Sequence, residues 1–284
     1  MTALTDEWHA RLALSFSRQG PHKTVLSERR HEGPLLVQKA LYPEGPGVCH
    51  VTILHPPSGI AGGDILAIDV DVQSGAHALL STPGATRWYK ANGRHAAQRV
   101  HIRLAAGARL DWLPQENIFF EQADAAAGTQ LDMQTGASAI GWDITQLGSI
   151  GKAGHWAQGR LRLDTLLTLD GRPMWLDAGE LCADGALRHS ANGLAGFPVM
   201  ATLWAFGPRL SPEQTEGLAQ ELPWHDSLRA GLTHMPQDKE QGLSLIRLLG
   251  MHVQDVKRVL IALWMRLRPL LLDTQGARLR LWNT

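Results

Sequence analysis

The feature of this sequence that most constrains its fold is a short unit, strand then Gly-Ala then strand, that occurs three times. The Gly-Ala pairs stand at Gly75-Ala76, Gly107-Ala108 and Gly136-Ala137, so the units repeat after 32 and then 29 residues. A unit of this size cannot bury its own apolar face, whereas units stacked side by side bury a continuous apolar seam. The repeat therefore predicts a β-helix-like or layered β-sheet body. An ordinary sandwich whose turns share Gly-Ala is the alternative.

Period-two alternation predicts β structure from about Leu12 to His189. Apolar and polar residues alternate, or β-branched residues dominate, in residues 48–54, 65–72, 100–104 and 161–163. Alternation at this period is the signature of half-buried strands. Glycine-rich pairs between the runs predict tight turns, because glycine tolerates positive φ.

A different pattern follows residue 205. Ser211 and Pro212 are an N-cap residue and a proline at the first helical position, which together predict a helix start. A second helix is predicted from about Gln254, because apolar residues around it repeat at three and four positions. Pro269 is expected to end or kink that helix. Residues 278–282 alternate again and predict a short closing strand.

These patterns predict one domain over residues 1–284, with a β-rich body over 1–205 and a helical region plus closing strand over 206–284. The fold class is mainly β: a β-helix-like or layered β-sheet body with two C-terminal α-helices. No segment has the composition of a flexible linker. Because both helices have apolar faces that need cover, we expect them to contribute to a protein interface.

Charge and targeting signals exclude several partners. Lys plus Arg and Asp plus Glu each number 27, and a formal net charge of zero gives no long-range attraction to nucleic acid or acidic membranes. A basic-aromatic cluster at 87–94 is of a kind that binds nucleic acid, but a solvated strand and turn explains it equally. The N-terminus lacks the pattern of a signal peptide, and polar residues interrupt the apolar stretch 259–272. We expect a cytoplasmic protein without nucleic-acid or membrane partners.

Motifs for catalysis or tight metal binding are missing from the sequence. The 13 histidines form no HxH, HxxxH or HExxH, and Cys49 and His50 point to opposite faces of a predicted strand. Cys49 and Cys182 are too few for a disulfide framework. No GxSxG, Walker A or GxGxxG is present, and the glycine-rich segment 58–64 leads into a strand rather than a phosphate-binding helix. We expect a protein that is not an enzyme and holds no tight cofactor.

Four longer motifs resemble those of the UreD (UreH) urease accessory family. HPPSGIAGGD at 55–64 resembles the family's HPPGGxxGGD, with Ser58 where the family usually has glycine. GPLLVQK at 33–39, TPGATRWYK at 82–90 and LDWLPQENIFF at 110–120 resemble three further blocks, in the family's order and spacing. The ending LWNT at 281–284 resembles the family's RIWxT. The resemblance runs along nearly the whole chain and is densest from residue 20 to 145.

This resemblance implies a β-helix-like fold and a role in urease maturation. Such proteins bind apo-urease and recruit a UreF-type accessory protein and, through it, a UreG-type GTPase. Nickel ion then passes in transit through an internal channel. A purely structural docking protein for urease assembly, without nickel contact, is the alternative. A hydrolase or transferase with an unfamiliar site is a third reading, and the sequence offers no nucleophile–base pair in its favour.

The resemblance points to four acidic side chains as a transient nickel path: Asp64, Asp143, Asp111 and Glu116. Weakly binding oxygen ligands suit a cation in transit, and buried carboxylates are enriched at functional sites. Asp64 also has a structural interpretation as the cap of a turn, and Glu116 as an acceptor for backbone N–H groups in a bend. We expect Asp64→Ala to leave the protein folded but to lower the nickel content of the urease produced.

One departure from the family pattern stands after residue 146. The arginine and glutamate of the family's LGRxxxGE continuation fall on Ser149 and Gly154. Any channel or partner contact made by those two side chains is therefore lost or relocated here. His155 is a candidate replacement ligand.

Overall fold

A computed structural model describes residues 8–149, 151 and 154–283 of the chain. Residues 1–7, on which the expected absence of a signal peptide depends, lie outside the described residues. The same holds for Ile150, Lys152 and Ala153 in the departing segment and for Thr284 of the terminal motif.

Within the described residues, the chain forms eighteen strands and two α-helices. In chain order the strands are β1 (His9–Gln19), β2 (Lys23–Glu32), β3 (Leu36–Val37), β4 (Val48–Leu54), β5 (Ile65–Val72), β6 (His77–Ser81), β7 (Thr86–Trp88), β8 (Ala96–Leu104), β9 (Arg109–Leu113), β10 (Asn117–Phe119), β11 (Ala123–Met133), β12 (Ser138–Leu147), β13 (Gly159–Leu169), β14 (Arg172–Cys182), β15 (Val199–Pro208), β16 (Trp224–His225), β17 (Leu228–Pro236) and β18 (Gln241–Gly250). The helices are α1 (Pro212–Gln220) and α2 (Val253–Leu272).

These strands form two stacked sheets. Seven strands form the outer sheet, in the order β14-β13-β11-β8-β5-β1-β2. Eleven form the central sheet, whose main path is β16-β17-β18-β15-β12-β9-β6-β4-β3. The middle of each sheet is parallel, and its margins are closed by antiparallel strands. The predicted mainly β, layered body is confirmed.

The Gly-Ala repeat marks the turns that carry the chain from one sheet to the other. Each turn joins an outer-sheet strand to a central-sheet strand, in the pairs β5–β6, β8–β9 and β11–β12. Gly75, Gly107 and Gly136 have φ of +71°, +71° and +84°, which explains the choice of glycine. Successive turns stack through hydrogen bonds, with Arg109 N donating to the Ala76 carbonyl oxygen at 2.9 Å. Hydrogen bonds therefore run between units, as in a β-helix.

Alternation along the strands divides the interior into two cores. On the outer sheet the apolar positions of β5, such as Leu66, Ile68 and Val70, face the central sheet and are buried, and the residues between them face solvent. Each face of the central sheet is covered. One face meets the outer sheet, and the other meets α2, whose buried stripe includes Val256 and Leu260.

Both helices begin as the sequence predicts. Ser211 caps α1 with a capping box, in which its hydroxyl accepts from Gln214 N and the Gln214 side chain accepts from Ser211 N. Helix α2 begins at Val253 and continues three residues past Pro269, so this proline does not end the helix, and the alternative of a kink there stays a prediction. The central sheet already covers the apolar stripe of α2, which removes the reason for expecting a partner on this face. That the two helices contribute to a protein interface stays a prediction.

Two further expectations for the C-terminal part are corrected. The region 206–284 was predicted to be helical, yet it contains the β17–β18 hairpin, which extends the central sheet. Strand β18 is buried on both faces and so lacks the alternation that identifies a half-buried strand. The predicted closing strand is instead a 3₁₀ turn over Arg280–Asn283. Within the described residues, neither helix combines the length and apolarity needed to cross a bilayer.

Candidate functional site

A cavity of about 890 Å³ lies between the two sheets. Strands β5, β8, β11, β13 and β14 line it on one side, and β4, β9, β12, β15 and β18 on the other. Its solvent-exposed lining residues fall into two groups. The loop mouth comprises Ser58, Pro83, Gly84 and Arg87, which follow the ends of β4 and β6. The edge mouth lies where the margins of the two sheets meet, and it comprises Asp177, Gly179, Glu180, Leu187, Ala191, Trp224, Gly231 and Arg247.

Asp143 is the predicted site residue that lies inside this cavity. Alternation along β12 turns Ile144 toward α2 and Asp143 toward the outer sheet. There the hydroxyls of Thr129 and Thr165, on β11 and β13, donate to its two oxygens at 3.4 and 3.5 Å. These are long hydrogen bonds, so the carboxylate is only loosely held.

Burial raises the pKa of Asp143 from 3.8 to about 6, because the charged form loses hydration. Hydrogen bonding by Thr129 and Thr165 opposes this shift. The nearby Trp204 indole N–H also lowers the pKa of Asp143, although the distance and angle between them do not amount to a hydrogen bond. An ionised Asp143 is therefore a weakly compensated negative charge in the interior, and a passing cation would relieve it.

The cavity is also lined by His55, the first residue of the HPPSGIAGGD motif, which the sequence analysis did not select. Burial lowers the pKa of His55, and the nearby negative charge of Asp64 opposes that shift only in part. The imidazole is therefore neutral at pH 7 and has a free lone pair, as a nitrogen ligand requires. The motif itself was the available signal, since it places a histidine directly after β4.

Asp64 lies outside the cavity lining and caps a turn. Its Oδ2 accepts a hydrogen bond from Ala61 N at 2.8 Å, and the residue is 7% exposed. This is the structural interpretation that the sequence left open. Asp64 affects the cavity only indirectly, because its negative charge raises the pKa of the lining residue His55.

Asp111 lies on the far side of the central sheet from the cavity. Alternation along β9 turns Trp112 toward the cavity and Asp111 toward α2. Asp111 is completely buried and accepts hydrogen bonds from Trp264 Nε1 at 2.7 Å and from Arg268 Nε and Nη2 at 3.2 and 3.1 Å. His77 Nε2 lies 2.8 Å from the same carboxylate.

Burial alone would raise the pKa of Asp111, but the hydrogen bond from His77 and the charge of Arg268 outweigh it and lower the pKa. Arg268 in turn contacts Glu44, which pairs with His50 Nε2 at 2.5 Å. These contacts join α2 to the central sheet through Asp111, both of whose oxygens already accept hydrogen bonds.

Glu116 lies beside the loop mouth and is ion-paired. Its Oε2 lies 3.1 Å from Lys257 Nζ, at the start of α2, and its carbonyl oxygen accepts from Thr86 N at 2.9 Å. The adjacent Gln115 lines the cavity and also accepts from Lys257. Glu116 thus helps to fix the loop at this mouth.

The four predicted carboxylates are therefore not brought together. In the part of the chain that the structure describes, no three His, Cys, Asp or Glu side chains are grouped closely enough to hold a metal ion. Of these four residues, Asp143 alone lines the cavity, where its carboxylate is held by two long hydrogen bonds.

Packing explains one of the two departures from the family pattern, the glycine at position 154. Gly154 has φ of +72°, and a Cβ at this position would meet Pro198 Cβ at 2.3 Å, so a glutamate is excluded here. Ser149 and His155 form an isolated backbone bridge. His155 is exposed and does not line the cavity, so the structure gives no support to its role as a replacement ligand.

The two stacked sheets with parallel middles, the cavity between them with Asp143 in its lining, and the covering helix define a solenoid-like protein with an internal cavity. A family model described as UreD urease accessory protein matches residues 9–283. Urease accessory protein UreD of Bordetella pertussis is 57% identical over the full length of both chains. The proteins of the same name from Ralstonia nicotianae and Cupriavidus pinatubonensis are 49% and 45% identical, over 98% and 99% of this chain and 94% and 96% of theirs. The chain belongs to the UreD family of urease accessory proteins, as its motifs predicted.

Proposed function

We propose that this chain is a non-catalytic urease maturation factor that binds apo-urease and, with UreF- and UreG-type partners, delivers nickel ion through its interior. The ion enters at one mouth of the cavity, is bound transiently by Asp143, and leaves at the other. Nickel is cargo in this scheme, not a resident cofactor.

The observation that carries the proposal is the position of Asp143 inside a cavity with two exposed mouths. A cation in transit needs a site that is attractive enough to enter and weak enough to leave. One carboxylate with two long hydrogen bonds meets that requirement, whereas a closed set of three or four ligands would trap the ion. His55 supplies a second, nitrogen ligand toward the loop mouth.

Docking without nickel contact is the second candidate function. It is favoured by the contacts of Asp64, Asp111 and Glu116, each of which already has protein partners. A direct nickel role for these three residues stays a prediction. Their contacts favour a structural role, and the passage proposal depends on Asp143 alone.

The maturation role is tested by producing urease with its other accessory proteins, in nickel-containing medium, with and without this chain. We expect nickel per purified urease active site to fall about tenfold or more without the chain, and to return when the chain is supplied from a plasmid. Equal nickel occupancy in the two preparations would exclude the maturation role. Urease subunit abundance, measured in parallel, separates nickel loading from protein loss.

A further inference from the structure

The loop mouth carries a surface that the passage itself does not require. We define the aromatic-basic rim as Arg87, Tyr89, Lys90 and Phe120. Arg87 lines the cavity at this mouth, and the next residues along the chain extend the rim over the adjacent surface. Tyr89 is 43% exposed although its ring is large and largely apolar, and Arg87 and Lys90 are exposed beside it.

The rim is rigid because two stacked aromatic pairs hold it. Trp88 points inward and stacks on Phe119 with centroids 5.1 Å apart, and Tyr89 points outward and stacks on Phe120 at 5.6 Å. Backbone hydrogen bonds fix the segment on both sides: Tyr89 N donates to the Ile60 carbonyl oxygen at 2.9 Å, and Phe120 N donates to that of Trp88 at 3.0 Å. An exposed aromatic ring held in this way loses little conformational entropy when a partner binds it.

Gly59 is shaped to fit this ring. A Cβ at Gly59 would lie 2.2 Å from Cε2 of Tyr89. The glycine of the HPPSGIAGGD motif therefore allows the Tyr89 ring to lie flat against the loop. The ring position is thus specified by two separate segments of the chain, although Tyr89 contributes little to the buried core.

The charges of the rim are not balanced locally. Among the described residues, Arg87 and Lys90 make no hydrogen bond or ion pair through their side chains. The acidic residues that follow Phe120 are already engaged: Glu121 accepts from Ala157 N at 3.0 Å and Gln158 N at 2.6 Å. The next one, Asp124, pairs with His95 and Arg160. A chain with zero formal net charge therefore presents two uncompensated cations around an exposed ring at the mouth of its cavity.

We infer that the aromatic-basic rim docks an acidic segment of the partner protein that exchanges nickel at this mouth. Carboxylates of that segment pair with Arg87 and Lys90, since guanidinium–carboxylate pairs are strong and directional. An apolar side chain between them packs on Tyr89, because tyrosine and arginine are the residue types that anchor interfaces. The identity of the partner rests on the proposed function. The acidic character of its docking segment is inferred from charge complementarity with Arg87 and Lys90.

The test measures binding of the full-length chain to three separate probes: purified apo-urease, the UreF-type protein and the UreG-type protein of the same host. We expect one of them to bind the wild type with a Kd that rises steeply between about 50 and 300 mM NaCl. Arg87→Glu with Lys90→Glu is expected to raise that Kd about tenfold or more. Arg87→Lys with Lys90→Arg, which keeps both charges, should lie within about threefold of wild type.

A matched control reverses two exposed cations elsewhere. Arg99→Glu with Arg162→Glu changes the net charge by the same amount on the solvent face of the outer sheet and should leave binding unchanged. Equal binding by the Arg87 and Lys90 double reversal, measured on a protein with the wild-type thermal midpoint, would overturn the inference. So would binding of a single-stranded oligonucleotide of about 20 nucleotides that the double reversal abolishes while protein binding is unaffected.

The inference and the proposed function fail in different ways. If the wild-type chain restores nickel to urease and the double reversal restores it equally, the aromatic-basic rim has no docking role but the maturation role stands. If the wild-type chain itself does not restore nickel, the proposed function fails, whatever the binding experiments show.

Discussion

Arg268→Met is expected to lower the free energy of unfolding by about 3–5 kcal/mol, because it leaves a buried carboxylate without its cation. Arg268 is completely buried and donates to Asp111, to Glu44 and, at 2.8 Å, to the Gln275 carbonyl oxygen. Its guanidinium also lies 4.8 Å from the ring centroid of Trp264. Methionine fills much of the same volume, so the loss of stability comes from the missing positive charge rather than from a cavity. Urea unfolding followed by far-UV circular dichroism measures it.

Arg266→Met is the matched control on the same helix. The Arg266 side chain is 45% exposed and pairs with Glu221 on the surface, so its loss should change stability by less than about 1 kcal/mol. Adding Asp111→Leu to Arg268→Met should cost less than the two single changes together, because the second change removes the stranded charge. If Arg268→Met lowers the free energy of unfolding by less than about 1 kcal/mol, the Arg268–Asp111 ion pair does not hold α2 to the central sheet.

Asp143→Asn is expected to stabilise the protein at pH 7 by about 3 kcal/mol while impairing nickel delivery. A carboxyl whose folded pKa is about 6 instead of 3.8 binds more protons in the folded state between those two values. Stability of the wild type therefore falls as pH rises from about 4 to about 6 and stays lower above that range. Asparagine cannot ionise, so the difference between variant and wild type should grow across this window and then level off.

Nickel per urease active site shows whether Asp143 takes part in nickel delivery or is only an unfavourably buried charge. With Asp143→Asn we expect nickel per urease active site to fall about tenfold, because the amide oxygen is a weaker ligand than a carboxylate. Asp143→Glu keeps the charge and should retain more delivery than Asp143→Asn. A stabilised Asp143→Asn protein that loads urease normally would assign Asp143 to packing and favour the docking alternative. Loss of function with a gain in stability is the usual mark of a functional residue.

Much of the fold could be predicted from local patterns. The repeated Gly-Ala turns predicted the stacked units, since each turn needs positive φ at its glycine and places a small buried residue after it. The alternation in residues 48–54 and 65–72 predicted β4 and β5 with their observed bounds. Ser211 and the apolar spacing around Val256 predicted the two helices, because capping and amphipathic periodicity are properties of a short segment.

What the sequence could not reveal depends on which face of the central sheet a residue occupies. Asp111 and Asp143 both lie in strands among apolar neighbours, and both were predicted to contact nickel. One faces α2 and the other faces the cavity. This difference follows from how the strands pair, which no local pattern contains. Strand β18 was missed for a related reason, since helix and outer sheet cover its two faces and remove the alternation.

Two signals were present and can be used in related sequences. Thr129 and Thr165 occupy inward positions of β11 and β13, where apolar residues are expected, and a polar side chain there marks a polar interior. Arg268 lies four residues after Trp264, on the apolar stripe of α2. A cation in that position requires a buried partner, which turned out to be Asp111 with Glu44.

The central claim is that nickel passes between the two sheets, and filling the cavity tests it most directly. Ala127 lines the cavity on β11, and Ala126, the preceding residue, lies on the opposite face of the outer sheet. Nickel per urease active site would be measured with Ala127→Trp and with Ala126→Trp, each checked for folding and for binding of apo-urease. The passage predicts a large loss of nickel with Ala127→Trp and none with Ala126→Trp. Full nickel loading by a folded, urease-binding Ala127→Trp protein would contradict it.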